Sequence, residues 1–408
     1  MRVLGSKVAA RLRRRRRDVG DDALPVIAEP VSDPDDGGLV DLEPGPVPDD
    51  AGPVDLAPPP PVPAPTEAQL RRAVGAVVAA SAGDALGAGY VGSGPLGPTA
   101  PVTMIASSGE EPGEWSGATE LATPVLEVLA RGGDVLDSRE QDTIVMSWLD
   151  VLHGGQPLDP ATTAVLRLVS EQLERSPGLP AAQCARRNAR RRHERERGPV
   201  TSACIVPAAA AALGFLGPED APRLTRAVKM LVTTLHGSPE ALAPAMLWAH
   251  SVRSVILDGP APLDDSLTHV PGHLRRRWED HVAEAASASP TLFENDGLAV
   301  EAVQVAWAAI VSTANDRGGT HLERALVAAV RAGGDTATTG WVTGALAGAH
   351  YGASALPDDW GDLIHGRLGR SGADLARLAK QAVLASHERA VSRLAGLDQA
   401  EAEGGEAG

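Results

Sequence analysis

The chain predicts an all-α fold, a single large compact helical domain, on three features. Ala- and Leu-rich stretches follow one another, each stopped by Gly, Pro or Asp, and no sustained two-residue alternation of β-branched and aromatic residues marks a strand. Aromatic residues make up only 3% of the chain, so a core must be filled by Ala, Val and Leu, which requires close helix–helix approach rather than bulky wedges. Gly340, Gly344 and Gly348 stand four apart in one predicted helix, on one face, where a neighbour's backbone can come near.

The elements follow in order. Thr66-Glu67-Ala68-Gln69 has the form of a capping box, with a hydroxyl at the N-cap and Gln three residues on, and the first helix is predicted over Arg71–Ala82. Thr119–Arg131 stops at Gly132-Gly133-Asp134, Ser138–Leu152 at Gly154-Gly155, and Ala161–Arg175 at Pro177-Gly178. Thr201–Leu213, Ala221–Leu235 and Pro239–Leu257 come next, separated by Gly217-Pro218 and by Gly237. Leu298–Thr313, Leu322–Ala332, Thr336–His350 and Ala373–Leu394 complete the set, with Gly333-Gly334-Asp335 breaking the chain before Thr336. No second Pro-rich linker interrupts this run, so residues 67–396 read as one domain, and no repeat of solenoid period is present.

The ends differ in composition. Residues 1–17 carry eight basic groups and no acid, and residues 18–66 carry twelve acids and no base, with the run Pro58-Pro59-Pro60-Pro61-Val62-Pro63-Ala64-Pro65 at their end. Such a stretch cannot pair its backbone in a helix or sheet, so residues 1–66 are expected to form a disordered tail, basic then acidic and Pro-rich. Residues 397–408 are expected to be a disordered C-terminal tail. A basic block can touch nucleic acid or an anionic membrane surface, but a solubilising tail is the expectation, and the overall charge of −16 argues against broad nucleic-acid affinity. An apolar content of 43% excludes a wholly disordered chain, and two cysteines, Cys184 and Cys204, exclude a disulfide-stapled scaffold. No apolar run reaches the ~18 residues of a membrane span and no signal-peptide segment follows the Arg run, so a soluble cytoplasmic protein is expected.

Most chemical templates fail. Gly87-x-Gly89-x-x-Gly92 and Gly92-x-Gly94-x-x-Gly97 match the dinucleotide pattern by letter, but neither follows a predicted strand. Phosphate-loop, zinc-ligand and nucleophile-elbow patterns are absent. His250, on an apolar helix, reads as a satisfied core residue. The basic run Arg186 to Arg197 reads as a solvated helix face, with a phosphate-binding surface as the sharper reading.

Four segments, taken in order, resemble the ADP-ribosylglycohydrolase family, including its dinitrogenase-reductase-activating type. Gly83-Asp84-Ala85-Leu86-Gly87 looks like its N-terminal signature. Glu114-Trp115-Ser116-Gly117-Ala118-Thr119 sits where the family has Trp-Thr-Asp-Asp-Thr. Leu235-His236-Gly237 is similar to its Thr-His segment, and Gly333-Gly334-Asp335-Thr336-Ala337-Thr338 resembles its Gly-Gly-Asp-Thr-Asp-Thr helix. The resemblance implies an all-α fold with two Mg²⁺ ions between two helix ends, and cleavage of the bond from the anomeric carbon of ADP-ribose to a protein side chain or related acceptor. It implies an ADP-ribose-like small molecule or an ADP-ribosylated protein as partner. Asp84 and His236 then become candidate substrate-binding residues, and Ser116, Asp335 and Thr338 the remnant of the metal site.

The departures fall on the metal motifs. Gly117, Ala118 and Ala337 stand at acid positions, Gly198-Pro199-Val200-Thr201 replaces Gly-Asn-Gly-Ser, and Cys204 stands where an Arg is expected. One carboxylate, Asp335, remains where the family has four, and that is too little negative charge for two divalent cations. The expectation is no cofactor, or Mg²⁺ if the family site is partly retained. With that site lost, Asp335 and Ser116 read as helix N-caps. Three functions stay open: a diverged member that keeps a nucleotide-binding cleft without metal-dependent hydrolysis; an active hydrolase in which Glu110, Glu111, Glu114 or Glu120 rebuild a Mg²⁺ site; and an interaction or scaffold protein using its charged tail.

Overall fold

The computed structural model describes residues 62–106, 111–315, 318–367 and 369–405. The tail expected over residues 1–66 lies outside these up to residue 61. Among the described residues the architecture is all-α, with isolated bridges but no strand. In chain order the helices are α1 (Glu67–Ala88), α2 (Gly117–Ala130), α3 (Ser138–His153), α4 (Pro160–Arg175), α5 (Ala181–Glu196), α6 (Ile205–Ala211) and α7 (Ala221–Leu235). They continue with α8 (Leu242–Asp258), α9 (Gly272–Ser287), α10 (Ala299–Ser312), α11 (His321–Arg331), α12 (Thr336–Tyr351), α13 (Trp360–Leu363) and α14 (Gly372–Gly405). Among the described residues no helix is long and apolar enough to cross a membrane.

The capping box forms as the residues dictate. Thr66 Oγ1 accepts from Gln69 N at 3.2 Å, and Thr66 N donates to Gln69 Oε1 at 2.9 Å. From there α1 runs to the centre of the domain and makes its most extensive contact with α12. Glycine makes that contact possible. A Cβ built on Gly344 would fall 2.1 Å from the Ala79 carbonyl oxygen, and one on Gly348 2.2 Å from that of Gly75. The two backbones touch directly, as the spacing of Gly340, Gly344 and Gly348 predicts. Trp248 on α8 closes the third side, its indole N–H donating to Val342 O at 2.9 Å.

Several elements differ from the sequence reading. α1 continues six residues past Ala82, to Ala88, because its small residues stay buried against α12 and no proline stops them. α9 was not anticipated: its Arg- and Glu-rich surface hides a stripe of Leu274, Trp278, Val282 and Ala285 that is buried at helical spacing. The segment predicted as one helix over Thr201–Leu213 is a 3₁₀ turn over Ser202–Cys204, then α6, then a second 3₁₀ turn over Ala212–Gly214. Pro207 falls in the first turn of α6, where its missing N–H costs nothing. α14 reaches Gly405 rather than ending at the limit expected near Gly396, since the Ala- and Glu-rich stretch after it favours helix. Residues 406–408 lie outside the described residues.

His250 is a buried core residue. Its Nε2 lies 3.0 Å from Thr225 Oγ1, and its ring stacks on that of His269 at 3.6 Å between centroids. Burial, with the neighbouring charges of His269 and Arg253, pushes its pKa down to about 3. Cys184 and Cys204 are both buried free thiols, and burial raises that of Cys204 far out of the reactive range.

Candidate binding cleft

The starts of α2 and α12 open on a cleft of about 840 Å³. Each start is built by an aspartate. Asp84, buried near the end of α1, accepts from Ser116 N at 3.1 Å, Ser116 Oγ at 2.5 Å, Thr119 N at 2.9 Å and Thr119 Oγ1 at 2.7 Å. It therefore caps α2 from another helix. Ser116 stands at the N-cap of α2 as expected, but its hydroxyl makes no cap bond to its own helix and is spent on Asp84. Burial pushes the Asp84 carboxyl up to about 6 against the opposing pull of these hydrogen bonds.

Asp335 does cap its own helix. Its Oδ1 accepts from Thr338 N at 3.4 Å and its Oδ2 from Ser202 Oγ at 2.7 Å. Burial raises its pKa, the bonds from Ser202 and Thr338 oppose this, and the charge of Asp159 adds to the rise. Ser116, Asp335 and Thr338 all line the cleft, so the fold brings these three expected residues to one site.

Asp159 is a cleft residue that the sequence reading missed. It caps α4, its Oδ1 accepting from Ala161 N at 3.0 Å, Thr162 N at 3.2 Å and Thr201 Oγ1 at 3.2 Å. Its Oδ2 is buried with no hydrogen-bond partner among the described residues. The consecutive hydroxyls of Thr201 and Ser202 thus hold two carboxylates, Asp159 and Asp335. Asn295 and Asp296 also line the cleft, with Asn295 Nδ2 donating to Gly333 O at 2.7 Å and Asn295 Oδ1 accepting from Thr339 Oγ1 at 2.8 Å. The Asp159-Pro160 pair opening a helix was the one signal that pointed here, and it reads first as an ordinary cap.

His236 lies behind this wall. Its Nε2 pairs with Thr201 Oγ1 at 2.7 Å, and it lines an adjoining groove rather than the cleft itself. Burial lowers its pKa, the charge of Asp159 opposes this, and Arg192 adds to the lowering. Of the acids considered as replacement ligands, Glu114 and Glu120 are committed elsewhere. Glu120 is buried and accepts from Trp115 Nε1 at 2.8 Å, and Glu114 pairs with Arg367 at 3.1 Å and accepts from Glu111 N at 3.0 Å. Glu111 is exposed and does not line the cleft, and Glu110 lies outside the described residues.

The residues present do not suit a pair of divalent cations. At the helix starts Gly117, Ala118 and Ala337 offer no side-chain oxygen. A Cβ at Gly117 would fall 2.3 Å from Pro157 O, so the backbone of the 156–159 loop fills the direction a side chain would take. Gln156 Nε2 pins that loop by donating to Trp115 O at 3.2 Å. Both Asp335 oxygens and both Asp84 oxygens already accept hydrogen bonds. What the helix starts do offer is N–H groups: those of Gly117 and Ala118 precede the first intrahelical bond, Glu120 N to Ser116 O, and line the cleft.

The family model for ADP-ribosylglycohydrolases matches residues 65–392. A solved structure titled "ADP-ribosylglycohydrolase-related protein complex" is similar in fold, with a TM-score of 0.57 at 24% identity, covering 79% of this chain and 100% of that one. No curated protein matches the chain. The helical frame, the cleft between two helix starts and the matched span together place this chain in the ADP-ribosylglycohydrolase family.

Proposed function

We propose that the cleft binds an ADP-ribose-like nucleotide without the two-metal hydrolysis that membership of this family implies. The observation that carries this reading is the chemistry of the two helix starts. Gly117, Ala118 and Ala337 stand where acids would hold cations, and the Pro157 carbonyl closes the side-chain space at Gly117. Replacing carboxylates by bare amides inverts the electrostatic preference. A helix start with free N–H groups attracts an anion, such as the diphosphate of a nucleotide. A volume of about 840 Å³ suits a ligand of that size, since small-molecule sites span roughly 300–1,000 Å³. Asn295 and Asp296 supply polar groups that can meet ribose hydroxyls. His236 acts through Thr201 rather than on the ligand.

Calorimetry with ADP-ribose, in the presence of Mg²⁺ and then of a chelator, tests this. Binding should be equal in both, with no ADP-ribose released from ADP-ribosylated arginine. Turnover that the chelator abolishes would overturn it.

A second reading rests on Asp159 and Asp335. The charge of Asp159 raises the pKa of Asp335, and one Asp159 oxygen is unpartnered. A single divalent cation would relieve that repulsion, and Mg²⁺ can be held by one or two carboxylates with water completing its shell. Saturable Mn²⁺ binding that Asp159→Asn removes would favour this reading.

A further inference from the structure

A groove of about 370 Å³ lies between α5 and α7, apart from the cleft. Arg186, Arg187 and Arg190 line it with Gln183, Thr233 and His236, and no carboxylate does. The guanidinium groups are under-compensated. Arg186 donates to the neutral Gln141 Oε1 at 2.8 Å, and forms no ion pair among the described residues. Asp142 is close enough to favour its charge, but Asp142 Oδ1 is committed to Ala182 N at 2.8 Å. Arg187 makes no hydrogen bond or ion pair among the described residues. Arg190 reaches Glu194 at 3.4 Å, outside the groove.

His236 adds an independent observation. It is 6% exposed, and its Nδ1 is buried with no hydrogen-bond partner among the described residues. Since Nε2 is engaged with Thr201, Nδ1 is the remaining polar atom of the ring. A buried donor or acceptor left unmatched costs stability, and His236 is a lining residue of the groove, so its unmatched nitrogen is a group that a ligand oxygen there can satisfy.

We propose that this groove is a second binding site, for a phosphate group carried by a small molecule. Two guanidinium groups can each meet phosphate oxygens through paired N–H bonds, and an Nδ1–H tautomer of His236 supplies another donor. In that tautomer Thr201 turns its proton from Asp159 Oδ1 to His236 Nε2, so an occupied groove is reported at the cleft wall. A nucleic-acid strand suits the face less well. Arg190 and Arg192 are partnered by Glu194 and Glu196, and the groove has no Trp, Tyr or Phe to stack a base. The site stands apart from the cleft reading above and does not depend on it.

Pyrophosphate, inorganic phosphate and a short DNA duplex are the probes, followed by calorimetry at low and moderate salt. Arg187→Gln should weaken pyrophosphate binding at the groove about tenfold, and Arg186→Gln with Arg187→Gln should abolish it, both read in the Ala337→Asp background so that binding at the cleft does not contribute. Arg195→Gln, on the same helix outside the groove, should leave it unchanged. Ala337→Asp, which puts a negative charge at the cleft, should remove only the binding that belongs to the cleft and leave that of the groove unchanged. Pyrophosphate binding lost in Ala337→Asp but kept in Arg187→Gln belongs to the cleft and overturns the proposal. So does binding that no variant alters, and so does a duplex that binds more tightly than pyrophosphate through the same arginines. Nitrogen-15 spectra of His236 give a readout independent of folding losses. Its Nδ1 resonance should move toward the protonated position on adding pyrophosphate, and an unmoved resonance at saturation would also overturn the proposal.

Discussion

Replacing Asp84 by alanine probes the link between fold and cleft directly. The substitution leaves four donors on α2 without their acceptor: the amides and hydroxyls of Ser116 and Thr119. The hydroxyls can rotate toward other acceptors, but the amides cannot. Two stranded amides at ~1–3 kcal/mol each give about 2–6 kcal/mol, and water reaching Ser116 from the cleft brings the loss at neutral pH to about 3 kcal/mol. The pH dependence follows from the carboxyl's pKa of about 6, raised from 3.8. A group that holds its proton more tightly folded than unfolded contributes most below its unfolded pKa, and that contribution fades as pH rises through the folded value. Between pH 5.5 and pH 7.5 the fading amounts to about 0.8 kcal/mol. Urea unfolding of both proteins at these two pH values measures the difference. Asp84→Ala should be less stable at both, with the larger gap at the lower pH. A gap below about 1 kcal/mol would refute the assignment of Asp84 as the cap of α2, and one that widens toward pH 7.5 would refute the raised pKa.

Other outcomes follow from the same geometry. Gly344→Ala should lower stability by about 3 kcal/mol or more in thermal melts, because its Cβ meets the Ala79 carbonyl at 2.1 Å and this outweighs the ~1 kcal/mol gain in helix propensity. Gly117→Asp should lower the melting temperature without creating Mg²⁺ affinity, since Pro157 O stands 2.3 Å from the new Cβ, whereas Ala118→Asp with Ala337→Asp should bind Mn²⁺ measurably by calorimetry. His250, with its pKa near 3, should keep the carbon-13 ring shifts of a neutral imidazole down to pH 5, and because an unfolded His takes up a proton near ~6.5, stability should drop as pH falls through that value. His250→Asn, which can still bond Thr225, should lessen that acid sensitivity in urea unfolding.

Much of the fold was legible in local chemistry. The capping box at Thr66 and the glycines at 340, 344 and 348 each act within a few residues, so their consequences could be written down before the chain was folded. The unanticipated α9 shows the limit of that reading: four buried residues on one stripe were outweighed by a charged surface that water, not the core, receives. The cleft was legible in part. That positions 117, 118 and 337 carry no acid while 335 does is a property of the letters alone.

The composition, the helical pattern and the side chains at 117, 118, 335 and 337 are properties of the chain itself, because each depends on a residue and its near neighbours. Only the tertiary structure decided that Asp84 caps α2 across 32 positions, that the Pro157 carbonyl fills the space beside Gly117, and that Asp159 and Asp335 are held by adjacent hydroxyls. Hydrogen bonds and steric contacts act over a few ångströms in space. Residues far apart in the chain meet at that range only after the helices pack.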